Sequence, residues 1–250
     1  MIFLFSPLEQ FEIFPIFNIG IALTNQFLIL GFLSFSIIGG IFSLLHPKTS
    51  SLYIIPNYWQ SVIESIYLLI LKMVSTNIKG IKNERFFPLI FSIFFTVSAM
   101  NLIGLIPYSF TVTSHLVITL TLSLSIFIGM NIICVKNHKL KFFSLFLPAG
   151  TSLSLAFLLV PVELISYFFK PLSLAIRLFC NMMAGHTLLK VFAGFAWSLS
   201  SASGLVAALQ IIPLIILVPL YGLELGVALI QAFVFSLLTC IYLNDAVNLH

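Results

Sequence analysis

The side chains able to do chemistry in this chain are few, and they are placed where water is scarce. Glu163, Lys170, Arg177, His186, Lys190 and Glu224 all fall inside long apolar stretches. A charge near the middle of a bilayer costs on the order of 2.5–3.5 kcal/mol even on insertion scales, so each one needs a reason. One reason is an ion or proton path. The other is a long side chain near a helix end that reaches back to the interface. The second suits Lys190 as well as the first does. It does not suit Arg177, which has apolar or small residues for several turns on either side.

Spacing sharpens the choice. Glu163, Lys170 and Arg177 recur every seven residues, which returns them to nearly one helical face. Ser173, Asn181 and Gly185 step by four from Arg177 along almost the same face, so apart from its charges the lane is small or polar and admits another helix closely. His186 is nine positions beyond Arg177 and points the other way, toward any partner helix. The last apolar stretch offers Glu224 and, seven residues later, Gln231 on a similar face, with Gln210 on the same stripe and Gly222 and Gly226 beside Glu224 to allow close packing. A histidine and a carboxylic acid that meet inside a membrane form a pair able to pass protons. Arginine cannot carry them, because it stays protonated at any working pH. Its use is a fixed positive charge that attracts a carboxylate, ionises it and bars direct passage.

The elements that must position these groups follow from composition. Of 250 residues, 60% are apolar and only 7% carry a formal charge, with a mean hydropathy of +1.18. Soluble domains carry about 25% charged residues. The chain is therefore expected to be an all-α integral membrane protein of a single membrane domain. A first span is expected over about 25–45. Residues 57–79 read as an amphipathic helix lying on the membrane surface, with Trp59, Val62, Ile63, Ile66, Leu69, Ile70 and Met73 on one stripe and Ser61, Glu64, Ser65, Lys72 and Thr76 on the other. The uncharged run Phe86–Val135 is far longer than the ~20 residues one span needs, so it is expected to fold back as a hairpin over 86–108 and 114–135, bending near Gly104–Tyr108. Its feet are basic, with Lys79, Lys82 and Arg85 before and Lys136, Lys139 and Lys141 after. That places them on the cytoplasm-like side, which in a mitochondrion is the matrix. The segments 151–196 and 203–243 are too long for a perpendicular span, so each must break at its prolines or lie strongly inclined.

Several classes drop out. Cys134, Cys180 and Cys240 form no CxxC pair and read as packed hydrophobes. There is no phosphate-binding glycine loop, metal-spacing motif or nucleophile elbow, so no cofactor or metal is expected. The net charge of +4 is too dispersed for nucleic acid. A secondary transporter usually shows internal repeats and paired broken helices, and neither is visible. A membrane haem protein needs histidines at matching depths, yet of His46, His115, His138, His186 and His250 only His186 lies clearly within a span.

At PLSLAIRLFCNMMAGH, Pro171 to His186, the sequence resembles subunit a of the F-type ATP synthases, the proton-channel stator beside the rotating c-ring, in its mitochondrial branch. FSPLEQFEI near the start, MNLIGLIPYSFTVTSHL from Met100, FFSLFLPAGTSLSL from Phe142 and YLNDAVNLH at the end extend the likeness over nearly the whole chain. The resemblance implies that Arg177 is the essential arginine separating two offset aqueous half-channels. It implies a proton path that enters past Asn101, His186, Glu224 and Gln231 and leaves near Glu163, with Asn181, one turn after Arg177, also on the path. The implied partners are the c-ring, peripheral-stalk subunit b and other small membrane subunits. The implied location is the mitochondrial inner membrane, multi-pass, with the N-terminus on the intermembrane-space side. The chain by itself would be no enzyme.

Overall fold

The computed structural model describes residues 6–13, 15–19, 21–24, 58–78, 83–106, 109–139, 153–200 and 209–247. The expected first span over about 25–45 lies outside the described residues, as do Lys79, Lys82 and Lys141. After a 3-10 turn at Glu9–Phe11 come two short strands, β1 (Pro15–Ile19) and β2 (Ile21–Thr24), paired antiparallel with Phe17 opposite Leu23 and Asn18 opposite Ala22. This ribbon is a small addition to an otherwise helical chain. Its strands are too short to show an alternating pattern within an apolar run.

The membrane part is all-α, as expected, and is built from five helices among the described residues: α1 (Tyr58–Asn77), α2 (Asn83–Gly104), α3 (Leu116–His138), α4 (Leu153–Ser200) and α5 (Ile211–Val247). Of these, α2 to α5 are long and apolar enough to cross a membrane, and α1 is not one of them. Helices α2 and α3 each rise about 33–35 Å, close to the ~30 Å hydrocarbon thickness. Helices α4 and α5 run about 70 and 55 Å as continuous helices. Pro161 and Pro171 are carried inside α4, and Pro219 inside α5, without interrupting either helix; the expected segment 203–243 extends before α5 into residues outside those described, with a turn at 209–210.

The C-terminal half of α5 forms the centre. Its buried positions Glu224, Ala228, Ala232, Phe235, Ser236, Thr239 and Leu243 step by three or four and trace one stripe. The small residues in that stripe let neighbouring helices approach. Three clusters climb along it. Cys240 and Leu243 pack with Ile70, Met73 and Val74 of α1, Ile90 of α2 and Met130 of α3. Ala232 and Phe235 pack with Val97 of α2 and with Leu174 and Leu178 of α4. Ala228 packs with Met182 of α4 and with Leu105, just past the end of α2. Ser236 returns its hydroxyl to the Ala232 carbonyl at 3.0 Å, and Thr239 returns its own to Phe235, so these buried polar atoms stay satisfied without water.

The apolar stripe of α1 is used only in part. Ile70 and Met73 are buried, together with Val74, whereas Val62, Ile63 and Leu69 are exposed. Its packing runs along the C-terminal half of the helix, where α2 and α5 meet it.

Candidate functional site

Helices α4 and α5 meet at one polar contact in the upper part of this core. His186 Nδ1 lies 3.6 Å from Glu224 Oε1, and the two side chains are only 12% and 4% exposed. The distance suits an ion pair but exceeds a hydrogen bond. His186 Nε2 and both Glu224 oxygens are buried and have no hydrogen-bonding partner among the described residues. Buried polar atoms of this kind are ordinarily satisfied. Glu224 borders a cleft of about 240 Å³ lined also by Asn181, Gly185, Leu220 and Val227, roomy enough for water beside its carboxylate.

The approach depends on Gly185. A Cβ placed there would lie 2.6 Å from Glu224 Oε1 and 2.9 Å from its carboxyl carbon. The sequence placed Gly185 in the Arg177 lane. The structure instead turns it to α5, because four-residue steps advance about 40° each on a 3.6-residue helix and the row spirals away from Arg177. Gly222 and Gly226, expected to make the close contact, face open space, and a Cβ at either would meet nothing within 4 Å.

Asn101 of α2 is fully buried and donates from Nδ2 to the Ala228 carbonyl at 3.1 Å, one turn from Glu224. Its Oδ1 has no partner among the described residues. The Tyr221 hydroxyl donates to the Leu105 carbonyl at 3.3 Å. Asn101, Asn181, His186 and Glu224 are thus brought to one level of the fold. Gln231 is half-buried two turns further along α5, and Gln210 sits in the turn before that helix.

Arg177 stands apart. Nine residues from His186, it projects half a turn round α4, is exposed, and makes no hydrogen bond or ion pair among the described residues. Glu163 is also exposed, about 21 Å further along the helix. Lys170, unlike these two, is ion-paired. Its Nζ is 3.6 Å from Asp245 Oδ2 and lies over the rings of Tyr167 and Tyr242 at 5.6 and 5.3 Å. The Tyr167 hydroxyl donates to Asn131 Oδ1 of α3, and His138 Nε2 meets the Val247 carbonyl at 2.9 Å. Sequence reasoning passed over Asp245 and Tyr167. The available signal was a lone acid near the end of an apolar helix, with a lysine elsewhere lacking a local partner. Lys190 Nζ reaches the Ser6 carbonyl at 3.3 Å, which ties the N-terminal segment to α4.

The ATP synthase A chain family model matches residues 28–244. The chain belongs to that family. It is 52% identical to ATP synthase subunit a of Chondrus crispus, over 98% of this chain and 97% of the relative. It is 49% identical to the subunits of that name from Marchantia polymorpha and Pylaiella littoralis, over 98% of this chain and 99% of each relative. The family supplies the membrane proton-channel subunit of the ATP synthase, which is not catalytic by itself, and the chain is accordingly a membrane protein of that complex.

Proposed function

We propose that the chain is the proton-translocating stator of a mitochondrial F-type ATP synthase, multi-pass in the inner membrane, with its N-terminus in the intermembrane space and the basic feet of α2 and α3 in the matrix. The carrying observation is the division of α4 into two faces. His186 turns inward to a buried, hydrogen-bond-free contact with Glu224, while Arg177, half a turn round the helix, is exposed and makes no hydrogen bond or ion pair among the described residues. In this reading a proton enters past Asn101, Asn181 and Gln231 and is handed between His186 and Glu224. It then loads a carboxylate on the c-ring facing Arg177. After rotation the carboxylate releases its proton near Glu163. The guanidinium remains cationic throughout, so it forces an arriving carboxylate to ionise and keeps the two half-channels apart. Each proton crossing delivers about 2.3 kcal/mol per 100 mV. The inclined α4–α5 pair lies against the curved ring, and subunit b and other small membrane subunits hold the stator from behind.

The test is Arg177→Ala in the assembled complex. Proton-driven ATP synthesis should fall to background while the complex still forms. Normal synthesis by the assembled variant would overturn the reading.

A further inference from the structure

Among the described residues, an open apolar groove of about 260 Å³ runs between α2 and α3, bounded by Leu89 and Ile93 on one side and by Ser125, Gly129 and Ile133 on the other, with Leu243 of α5 also lining it. The span from Ile133 to Ser125 is about 12 Å, and apart from Ser125 the lining of the groove is apolar, which suits a hydrocarbon chain.

The ends of the groove are chemically unequal. Toward the hairpin's feet, Arg85 lies one turn before Leu89 on the same face of α2, and Lys136 lies one turn beyond Ile133 on α3. Both are exposed, as is Lys139, and none of the three is ion-paired among the described residues. Glu84 is the single acid in the sequence of these feet against six Lys and Arg. Because α2 and α3 match the hydrocarbon thickness, their feet lie at headgroup depth. Toward the hairpin turn the groove has no charged lining.

We propose that this groove is a binding site for one anionic phospholipid of the bilayer, its acyl chain along Leu89, Ile93 and Gly129 and its phosphate between Arg85 and Lys136. The site does not depend on the proton path proposed above, and its failure would leave that reading untouched.

Gly129 makes the test selective. A Cβ there meets nothing within 4 Å, so the side chain of Gly129→Phe has open space at its base and should occupy the groove. The assembled complex is placed in phosphatidylcholine nanodiscs containing a trace of phosphatidylglycerol that carries a diazirine in its acyl chain. A matched set contains phosphatidylcholine with the same label. After photolysis, peptides covering 89–93 and 125–133 should carry more label from the anionic probe, by about five-fold for each cation engaged. Arg85→Gln with Lys136→Gln should erase that preference, and Gly129→Phe should remove the label from both peptides. Equal labelling by the two probes, undiminished label in Gly129→Phe, no label at all, or cross-linking of these peptides to another subunit would each overturn the proposal.

Discussion

Helices α4 and α5 touch through charge at two places, and the two contacts have the same length. His186–Glu224 and Lys170–Asp245 are both 3.6 Å. The first is 12% and 4% exposed, is backed by a glycine and has no hydrogen bonds. The second is 34% and 35% exposed and is flanked by the faces of two tyrosines. Distance therefore says little about what an ion pair does. A half-exposed pair stacked on aromatic rings holds elements together at modest gain. A buried pair with vacant lone pairs is costly as architecture, and in the function proposed above its value lies in exchanging protons.

The difference can be broken most sharply at Gly185. The atom a new Cβ would strike is the end of a flexible side chain, so Gly185→Ala should assemble normally. Glu224 must swing away, however, and a misplacement near 1 Å can cost about a hundred-fold. Proton-driven synthesis should fall by at least ten-fold at unchanged complex yield. Near-normal synthesis would show that the closeness of α4 and α5 here is not functional.

Next in size is Asn101→Leu, which strips the Ala228 carbonyl of its side-chain donor and removes an amide from the level of Glu224. It should cost about 1–3 kcal/mol in the resistance of the complex to detergent dissociation and should reduce proton flux. A variant with full flux would take Asn101 out of the site.

The Lys170–Asp245 contact should respond more gently. Combining Lys170→Met with Asp245→Asn in a double-mutant cycle should give a coupling of about 1 kcal/mol or less, measured by the same dissociation assay. A coupling several times larger would erase the contrast between the two contacts.

The smallest effect concerns the hairpin turn at the level of the buried pair. His115 stacks on Phe110 with centroids 5.1 Å apart, and burial holds its imidazole below the ordinary value of 6.5. A histidine whose folded state resists protonation contributes its full stability above the unfolded value and loses it as pH falls below that value. Amide exchange across 109–116 should therefore quicken between pH 7 and pH 5.5 after correction for intrinsic rates. His115→Phe should flatten the dependence, and an unchanged wild-type profile would remove the effect.

Much of this was legible in the order of residues. An uncharged run of fifty residues dictates a membrane hairpin, because no single helix of that length fits a bilayer. Arg177, His186 and Glu224 identify themselves because an ionisable group in oil demands an explanation. Helical arithmetic alone sets His186 opposite Arg177. Tertiary structure decided the rest. Gly185, Gly222 and Gly226 look equally suited to close packing on paper, yet only Gly185 meets a neighbour, since which glycine is used depends on the rotation and crossing of two helices. Lys170 sits in the same seven-residue row as Arg177, but its partner, Asp245, lies seventy-five residues away. The period of a helix is local and can be read along the chain, whereas the pairing of distant faces is set by how several side-chain surfaces pack at once.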